Sequence, residues 1–444
     1  MAEIFILKQK EKMKASIFTL GCRVNQYESD AVAEMLAAVG FDIVPFGEEC
    51  DITVINTCTV TAESDRKSRQ HIRRAKTISP EGAVIVTGCY AQIAKERALS
   101  DGAAAVVGNA EKSRIADIAL AIVNGERDIN CVGDIMTASY DEIALSKPTR
   151  ARAYIKIEDG CENKCAYCII PRARGQVRSR DFDEIIKEVT CIAKKGYKEI
   201  ILTGIETASY GRDLKTTDLS ELLLAVGGIE GVERVTMGSL EPTVMKKAFV
   251  ENLSRVGGLL PHFHLSMQSG CTCTLNRMRR RYTADMAMEA VLRVREAIPE
   301  ATFSADVIVG FPGETEADFL ETVEFFKKAG FLHLHIFPYS KREGTEAADM
   351  PDQVPENVKK KRAKILATVQ KEIQDEFLDC YVKEHNEENP VYVLCEMTRD
   401  GIANGHTEHF VECNFPAGYD RTGEIVKVAL ESREGSLLFG RALN

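Results

Sequence analysis

The feature that most constrains the fold is a regular alternation of short apolar segments with amphipathic ones in the first quarter of the chain. Runs rich in Val, Ile and Phe predict strands, and the segments between them have the periodicity of helices. The predicted strands are residues 15–20, 51–56 and 83–87, with a fourth strand and its helix within 103–123. Strand–helix alternation of this kind predicts a parallel, doubly wound sheet.

A cysteine closely follows each of the first three predicted strands. These cysteines are Cys22, Cys58 and Cys89, each in a tight polar or glycine-containing context. Because parallel strands bring their carboxyl ends to one edge of a sheet, we expect the three thiols to lie close together. Three such thiols suit a soft metal or an iron–sulfur cluster, and the alternative is three buried cysteines at strand ends.

Three more cysteines share one loop. Cys161, Cys165 and Cys168 come just after the predicted strand 153–157, at a spacing that lets one loop wrap three corners of an iron–sulfur cube. Zinc is the alternative, since Cys165 and Cys168 resemble half of a zinc knuckle. No second Cys-x2-Cys or His pair follows, however, at the usual spacing of about 12–20 residues.

Strands and helices alternate again beyond this loop. With the strand before the loop, the pattern predicts six parallel strands: 153–157, 199–203, 234–237, 262–267, 303–309 and 333–337. Ligands of such folds lie at the carboxyl ends of the strands, where this chain has polar residues. Each of these residues has an alternative role in a loop or as a helix cap.

The cysteine loop has the form Cys-x3-Cys-x-aromatic-Cys, with Tyr167 as the aromatic residue. This pattern resembles the signature of the radical S-adenosylmethionine (SAM) enzymes. The upstream segments Thr-Leu-Gly-Cys-Arg-Val-Asn, Asn-Thr-Cys and Gly-Cys-Tyr-Ala-Gln resemble the amino-terminal motifs of the methylthiotransferases. The segment Leu-Gly-Cys-Arg-Val-Asn-Gln-Tyr-Glu most resembles the branch that acts on N6-threonylcarbamoyladenosine in tRNA. The resemblance covers nearly the whole chain from about Ala15.

The resemblance implies a sulfur-group transferase that uses SAM and two [4Fe-4S] clusters. Cys161, Cys165 and Cys168 would hold the SAM-binding cluster, and Cys22, Cys58 and Cys89 would hold an auxiliary cluster. The family also implies a partial (β/α)6 barrel. Resemblance and strand-end position together predict the SAM-binding residues Tyr167, Gly204, Glu206, Ser239, Gln268 and Asp306.

The implied activity is methylthiolation at C2 of N6-threonylcarbamoyladenosine 37 in tRNA, which yields 2-methylthio-N6-threonylcarbamoyladenosine. The tRNA anticodon loop, an electron donor and a sulfur source are the expected partners. Within the family, the alternative substrates are isopentenyladenosine tRNA and an aspartate of a ribosomal protein. Outside it, the alternative is a non-enzymatic iron–sulfur or zinc protein that carries electrons or binds RNA.

Net charge bears on RNA binding. The chain has 57 Lys and Arg against 67 Asp and Glu, so the placement of its positive charge matters more than the total. One basic stretch begins just beyond the cysteine loop, and we expect it to contact phosphate near the active site. Its members are Arg172, Arg174, Arg178 and Arg180.

Two pairs of histidines alternate along predicted strands. His262 and His264 share one strand face, and so do His333 and His335. Because no acid or cysteine lies at ligand spacing, we interpret them as residues that pack in the core or at its rim.

The domain organisation follows from these segments. We predict an extension at 1–14, a methylthiotransferase domain at 15–130, a linker at 131–150, a radical SAM domain at 151–376 and a β domain at 377–444. The last weakly resembles the small β-barrel TRAM domain, yet it has 6 Lys and Arg against 12 Asp and Glu. No apolar run approaches the ~20 residues that cross a bilayer, so we expect a cytoplasmic protein with no membrane contact.

Overall fold

The computed structural model describes residues 12–443. The expected extension 1–14 falls mostly on residues 1–11, which lie outside this range, and Lys14 already begins the first strand. The amino-terminal part is one parallel sheet in the order β2-β1-β3-β4-β5-β6, which confirms the doubly wound prediction. Its strands are β1 Lys14–Thr19, β2 Asp42–Val44, β3 Ile52–Thr57, β4 Ala83–Gly88, β5 Ala105–Val107 and β6 Ile129–Cys131.

Apolar cores lie on both faces of this sheet. The sequence patterns did not predict β2 and β6, because each has only three residues, too few to show periodicity. The sequence predicts the first helix over 28–39, whereas it begins at Arg23, because Cys22 at its start makes no side-chain cap that would mark it. The helices are Arg23–Ala38, Ala62–Ile78, Cys89–Ile93, Lys95–Ser100 and Ile115–Val123.

The central part confirms the six predicted parallel strands. They form two three-stranded sheets, β7-β10-β11 and β12-β13-β14, which single parallel bridges at Val235–Leu259 and Leu240–Leu265 join into a partial barrel. A short antiparallel pair, β8 with β9, flanks the cysteine loop. The strands are β7 Ala153–Lys156, β8 Glu158–Asp159, β9 Arg178–Ser179, β10 Glu199–Thr203, β11 Arg234–Met237, β12 His262–Gln268, β13 Thr302–Val309 and β14 His333–Pro338.

Helices cover the outside of this barrel and bury one large apolar core against its strands. They are Ile170–Arg174, Phe182–Lys194, Leu219–Gly227, Lys247–Leu253, Thr272–Arg277, Ala284–Ala297, Glu316–Ala329 and Glu346–Asp349. The long helix Glu356–Glu384 follows and packs on both β14 and the carboxyl-terminal domain. Within residues 12–443, no helix has both the length and the apolar character needed to cross a membrane.

The carboxyl-terminal part is a closed five-stranded barrel in the order β15-β16-β17-β19-β18. The sequence predicts four of these strands, at 391–396, 409–414, 424–430 and 436–441. It misses β16, whose Asn-Gly dipeptide is typical of turns. Gly405 is required there because a side chain would meet Leu394 O at 1.9 Å on the neighbouring strand. The strands are β15 Val391–Arg399, β16 Ile402–His406, β17 Glu412–Pro416, β18 Ile425–Glu434 and β19 Leu437–Ala442.

Candidate functional site

The first three cysteines lie at one edge of the amino-terminal sheet. They follow β1, β3 and β4, which are adjacent in the sheet. A Cβ on Gly21 would lie 3.0 Å from Cys58 Cβ and 3.3 Å from its Sγ, so the backbone before Cys22 passes directly over Cys58. Burial and the neighbouring Cys89 thiol both raise the pKa of Cys58. Cys22, Cys58 and Cys89 therefore follow neighbouring strands at one edge of the sheet.

Polar side chains fix this edge. Asn25 donates from Nδ2 to Leu20 O at 2.7 Å and to Thr57 O at 3.0 Å, which ties the ends of β1 and β3 together. Gly88 has a φ of +92°, and a side chain there would collide with Thr57 O at 2.4 Å. The close strand ends therefore demand glycine immediately before Cys89.

A buried charge network joins this edge to the central barrel. Arg174 donates from Nε to Cys89 Sγ at 3.2 Å and from Nη1 to Glu28 Oε1 at 2.6 Å and Asp159 Oδ2 at 3.0 Å. Lys112 and Lys156 also pair with Glu28, at 3.2 and 2.8 Å. Burial opposes ionisation of Glu28, yet Arg174, Lys112 and Lys156 hold its pKa well below the usual value. Burial also opposes ionisation of Asp159, yet Arg174 and Lys156 lower its pKa to about 2.

The network corrects the predicted phosphate contacts. Arg174, Arg178 and Arg180 are buried, so they have no access to RNA phosphate. Arg178 donates to Ile135 O at 3.2 Å, and Arg180 pairs with Glu188. Only Arg172 among the four is exposed. The stretch looked like a basic surface because sequence alone does not show that β9 and the neighbouring helix turn their charges inward.

The second cysteine set lies on the loop after β8. The loop is held by backbone hydrogen bonds from Cys161 N to Gly175 O at 3.0 Å and from Ala166 N to Met278 O at 3.0 Å. Gly160 has a φ of +92°, and a side chain there would meet Gln176 O at 1.8 Å. Burial, together with the charge of Cys165, raises the pKa of Cys168 to about 12. The three thiols of this loop therefore share one site.

Both thiol sets suit a cluster. Within the described residues, no three His, Cys, Asp or Glu side chains converge tightly enough to hold a single metal ion. In a four-iron cube each thiolate binds a different iron, so its ligands need not converge on one point. Each set also has a guanidinium near one sulfur, Arg174 at Cys89 and Arg280 Nη1 at 3.4 Å from Cys165 Sγ.

Two glutamates stand beside the second thiol set. Glu206 accepts from Asn163 Nδ2 at 3.1 Å, and burial together with Glu241 raises its pKa to about 7. Glu158 accepts from the Glu206 backbone N–H at 2.8 Å through Oε2. Its buried Oε1 has no hydrogen-bond partner among residues 12–443. A buried orphan acceptor of this kind fits a ligand with an ammonium group, such as SAM.

Gly204 lies against the same carboxylate. A Cβ at this position would come within 2.6 Å of Glu158 Oε2. The backbone after β10 can therefore approach Glu158 only because residue 204 lacks a side chain.

The other predicted SAM residues lie at the same ends of neighbouring strands. Ser239 follows β11, and Gln268 ends β12 with a φ of +61°. A glutamine in this left-handed region stores backbone strain, which is typical of ligand sites. Tyr167 packs edge-on against Phe311, with ring centroids 6.4 Å apart. Asp306 instead faces His264, whose Nε2 lies 3.3 Å from Asp306 Oδ2.

Comparisons with known proteins agree with this geometry. Residues 155–326 match the model of the radical SAM superfamily, and residues 14–108 match the uncharacterized protein family UPF0004. A threonylcarbamoyladenosine tRNA methylthiotransferase MtaB from Bacillus subtilis is 40% identical over 93% of this chain and 92% of its own length. The protein of that name from Aquifex aeolicus is 36% identical over 94% of this chain and 100% of its own length.

The chain belongs to the radical SAM methylthiotransferase family. Members of the radical SAM superfamily use SAM and a [4Fe-4S] cluster. Because the chain belongs to the methylthiotransferases, it is a sulfur-transferring enzyme. Another relative, a tRNA-2-methylthio-N(6)-dimethylallyladenosine synthase from Acetivibrio thermocellus, is 32% identical over 97% of this chain and 92% of its own length. Overall identity therefore extends across family branches that have different named substrates.

Solved structures share the fold of this methylthiotransferase. The radical SAM methyltransferase TsrM from Kitasatospora setae, with cobalamin and a [4Fe-4S] cluster bound, has a TM-score of 0.56 at 14% identity over 76% of this chain and 77% of that chain. At this identity the likeness concerns the fold alone.

Sequence reasoning missed Arg280 and Glu158 in this methylthiotransferase. Arg280 is buried between Cys165 and Glu241, whose Oε1 lies 3.1 Å from Arg280 Nη2. Three neighbouring arginines, Arg277, Arg279 and Arg281, gave the stretch the pattern of a solvated surface. A signal for Glu158 was available, since it is an acid that directly precedes Asp159 and the cysteine loop.

Proposed function

We propose that this protein methylthiolates C2 of N6-threonylcarbamoyladenosine 37 in tRNA. The observation that carries the proposal is its 40% identity, over nearly the whole of both chains, to a relative named for that substrate. The presence of two separate thiol sets gives independent support, because methylthiolation needs both a radical and a sulfur source. A tRNA substrate also favours action in the cytoplasm.

The residues of this chain have assignable roles in the proposal. Cys161, Cys165 and Cys168 would hold a SAM-binding [4Fe-4S] cluster, and Cys22, Cys58 and Cys89 would hold an auxiliary one. When bound, the first would supply reductive SAM cleavage for hydrogen abstraction from an unactivated C–H bond, and the second a sulfur atom. An external electron donor and sulfur source would complete the system.

The acidic groups near the second thiol set would orient SAM. Glu158 has a free buried oxygen that can accept from the SAM ammonium, and Glu206 lies directly beside it. Arg280 neutralises Glu241 and donates to Cys165, which lowers the cost of assembling several negative groups in one buried site. Tyr167 and Phe311 form an apolar wall that would help to exclude water.

A basic cleft is our candidate for tRNA contact, in place of the buried arginines. The cleft has a volume of about 980 Å³ and lies between the segment before β7, the barrel and the carboxyl-terminal domain. Lys147, Arg150 and Lys195 line it, beside Tyr154 and Tyr197. Its charge comes from the first two regions, so an acidic carboxyl-terminal domain is compatible with phosphate binding at this cleft.

Nucleoside mass spectrometry tests the proposed substrate. The anaerobically reconstituted enzyme would be incubated with SAM, a reductant, and tRNA that contains either N6-threonylcarbamoyladenosine or N6-isopentenyladenosine at position 37. We expect a methylthio product from the first tRNA only. Product from the second alone, or only from a ribosomal-protein aspartate, would contradict the proposal, and bound iron without SAM cleavage would favour the electron carrier.

A further inference from the structure

A histidine-lined cavity lies inside the central barrel, deeper than the candidate SAM residues. Its volume is about 310 Å³, at the lower end of the range of about 300–1,000 Å³ that is usual for small-ligand pockets. Barrel strands form its wall, and the loop between β16 and β17 of the carboxyl-terminal domain closes it. Of the 8 histidines in the chain, those that line it are His262, His264, His333, His335, His406 and His409.

His262, His406 and His409 are neutral near pH 7. Burial, with the charges of neighbouring histidines, lowers the pKa of His262 to about 3. Burial and the charge of Arg152 lower the pKa of His406 to about 4, and burial lowers that of His409 to about 4. A neutral imidazole has both a donor and an acceptor, so the cavity wall can bind polar groups of either kind.

Hydrogen bonds fix part of this wall. His262 lies 2.9 Å from both Thr302 Oγ1 and Ser304 Oγ, and His264 Nδ1 lies 2.9 Å from Ser304 Oγ. His333 and His335 pack edge-on, with ring centroids 4.6 Å apart, and both are exposed. These two rings therefore remain accessible to a ligand.

Arg23 brings a permanent positive charge to the cavity. It lines the wall, and its charge contributes to the lowered pKa of both His262 and His335. Among residues 12–443, no carboxylate forms an ion pair with the Arg23 guanidinium. Glu412 is the acid in the cavity lining, and it accepts a hydrogen bond from Asn404 Nδ2 at 2.7 Å instead. Arg23 is thus available for an anionic ligand.

Residues that line the cavity are near neighbours in sequence of residues in both predicted cofactor sites. Thr236, which lines it, lies on β11 and precedes the candidate SAM residue Ser239 beyond that strand. Ser304, also in the lining, precedes Asp306 on β13. The cavity therefore lies deeper in the barrel than the SAM residues. On its other side, Arg23 directly follows Cys22 in the chain.

We infer that this cavity receives the N6 substituent of the substrate adenosine and that Arg23 binds its carboxylate. The inference rests on the proposed function and names the group that decides substrate choice. A threonylcarbamoyl group has a carboxylate, a hydroxyl and urea N–H groups, which match a guanidinium and neutral imidazoles. An isopentenyl group is a hydrocarbon, and it would offer these polar groups no hydrogen-bond partner.

Steady-state kinetics of the reconstituted enzyme with two tRNA substrates test this inference. The substrates are one tRNA with N6-threonylcarbamoyladenosine at position 37 and the same tRNA with unmodified adenosine there. We expect Arg23→Gln to raise KM for the first substrate roughly 10- to 100-fold, with little change for the second. Arg23→Lys, which keeps the charge but not the planar fork, should recover part of the loss.

Iron content and tRNA-independent SAM cleavage serve as controls, because Arg23 adjoins Cys22. If Arg23→Gln loses iron, His335→Leu serves as a second test, because His335 lies on another part of the cavity wall. This variant should also weaken the preference for the modified tRNA. If a variant with full iron content kept the wild-type preference for the modified tRNA, the inference would be wrong. The proposed function would still stand, provided that the wild-type enzyme modifies this tRNA. If the wild-type enzyme modified only isopentenyladenosine tRNA, the proposed function itself would fail.

Discussion

The Nε of Arg174 lies 3.2 Å from the Sγ of Cys89, in a site where the arginine is fully buried. Arg174 belongs to the helix that directly follows the second cysteine loop, whereas Cys89 belongs to the first thiol set. One side chain therefore connects the first thiol set to the segment that directly follows the second. Four cations, Arg174, Lys112, Lys156 and Arg178, face the two acids Glu28 and Asp159, so a Cys89 thiolate would offset part of the excess positive charge.

Replacement of Arg174 should therefore damage both stability and the auxiliary site. We expect Arg174→Met to lower the free energy of unfolding by about 3–5 kcal/mol, because Glu28 and Asp159 keep buried charges without their main partner. Iron content should fall from about eight to about four per chain as the auxiliary cluster is lost. Urea unfolding and iron analysis measure the two effects. Arg172→Met, at an exposed position two residues away, is the matched control and should change neither.

The two cysteine sets should separate into two phenotypes. Serine at Cys161, Cys165 and Cys168 should abolish formation of 5′-deoxyadenosine from SAM. Serine at Cys22, Cys58 and Cys89 should leave SAM cleavage intact and abolish transfer of sulfur to tRNA. Cys191→Ser, on an exposed helix face, is the control and should retain both activities. Persistent SAM cleavage in the first triple variant would remove the basis of the assignment.

Gly204→Ala should weaken SAM binding. The added Cβ would lie 2.6 Å from Glu158 Oε2, so the carboxylate has to move from its present position. We expect the Kd for SAM to rise roughly 10-fold, in line with the cost of overpacking a buried site. Equilibrium dialysis with SAM measures the change. Gly228→Ala, where the added atom meets nothing closer than 3.4 Å, should bind SAM as the wild type does.

The basic cleft should govern the salt dependence of tRNA binding. In the triple variant, Lys147, Arg150 and Lys195 are all changed to Gln. We expect its slope of log Kd against log salt concentration to be smaller by about 2, because each lost contact with a phosphate of single-stranded RNA lowers the slope by about 0.7. Filter binding at several salt concentrations gives the slope. Lys187→Gln is the control, because Lys187 is exposed and pairs with Glu184 away from the cleft. Equal slopes for the triple variant and the wild type would show that tRNA binds elsewhere.

The buried histidines should make the protein sensitive to acid. The pKa of His262 in the folded state is lowered to about 3. The unfolded chain therefore binds a proton at this residue near pH 6.5, and the folded chain does not. The contribution of the neutral histidine to the free energy of unfolding is fully present above about pH 6.5 and is lost as pH falls toward 3. The loss is up to about 1.4 kcal/mol per pH unit for each such histidine. Urea unfolding of His262→Gln should show a shallower loss between pH 6.5 and 5. A slope equal to that of the wild type would contradict this account.

Local patterns were enough to predict much of the molecule. Strands β1, β3 and β4 and their cysteines were predictable because hydrophobic periodicity and spacing are visible within about 15 residues. The six barrel strands were predictable for the same reason, and parallel topology then implied that the first three thiols would meet at one edge. Short edge strands such as β2 escaped prediction, because packing rather than pattern forms them.

The sequence by itself determined the two thiol sets, the three-part α/β and β architecture, and the family. Only the tertiary structure decided which charges face inward. Arg174 bonds to a sulfur 85 positions away, and Arg280 to one 115 positions away, so neither contact leaves a local signature. The histidine cavity likewise combines four barrel strands with a loop of another domain. Burial depends on how distant elements pack, and a basic stretch reads the same in sequence whether its side chains meet solvent or a buried carboxylate.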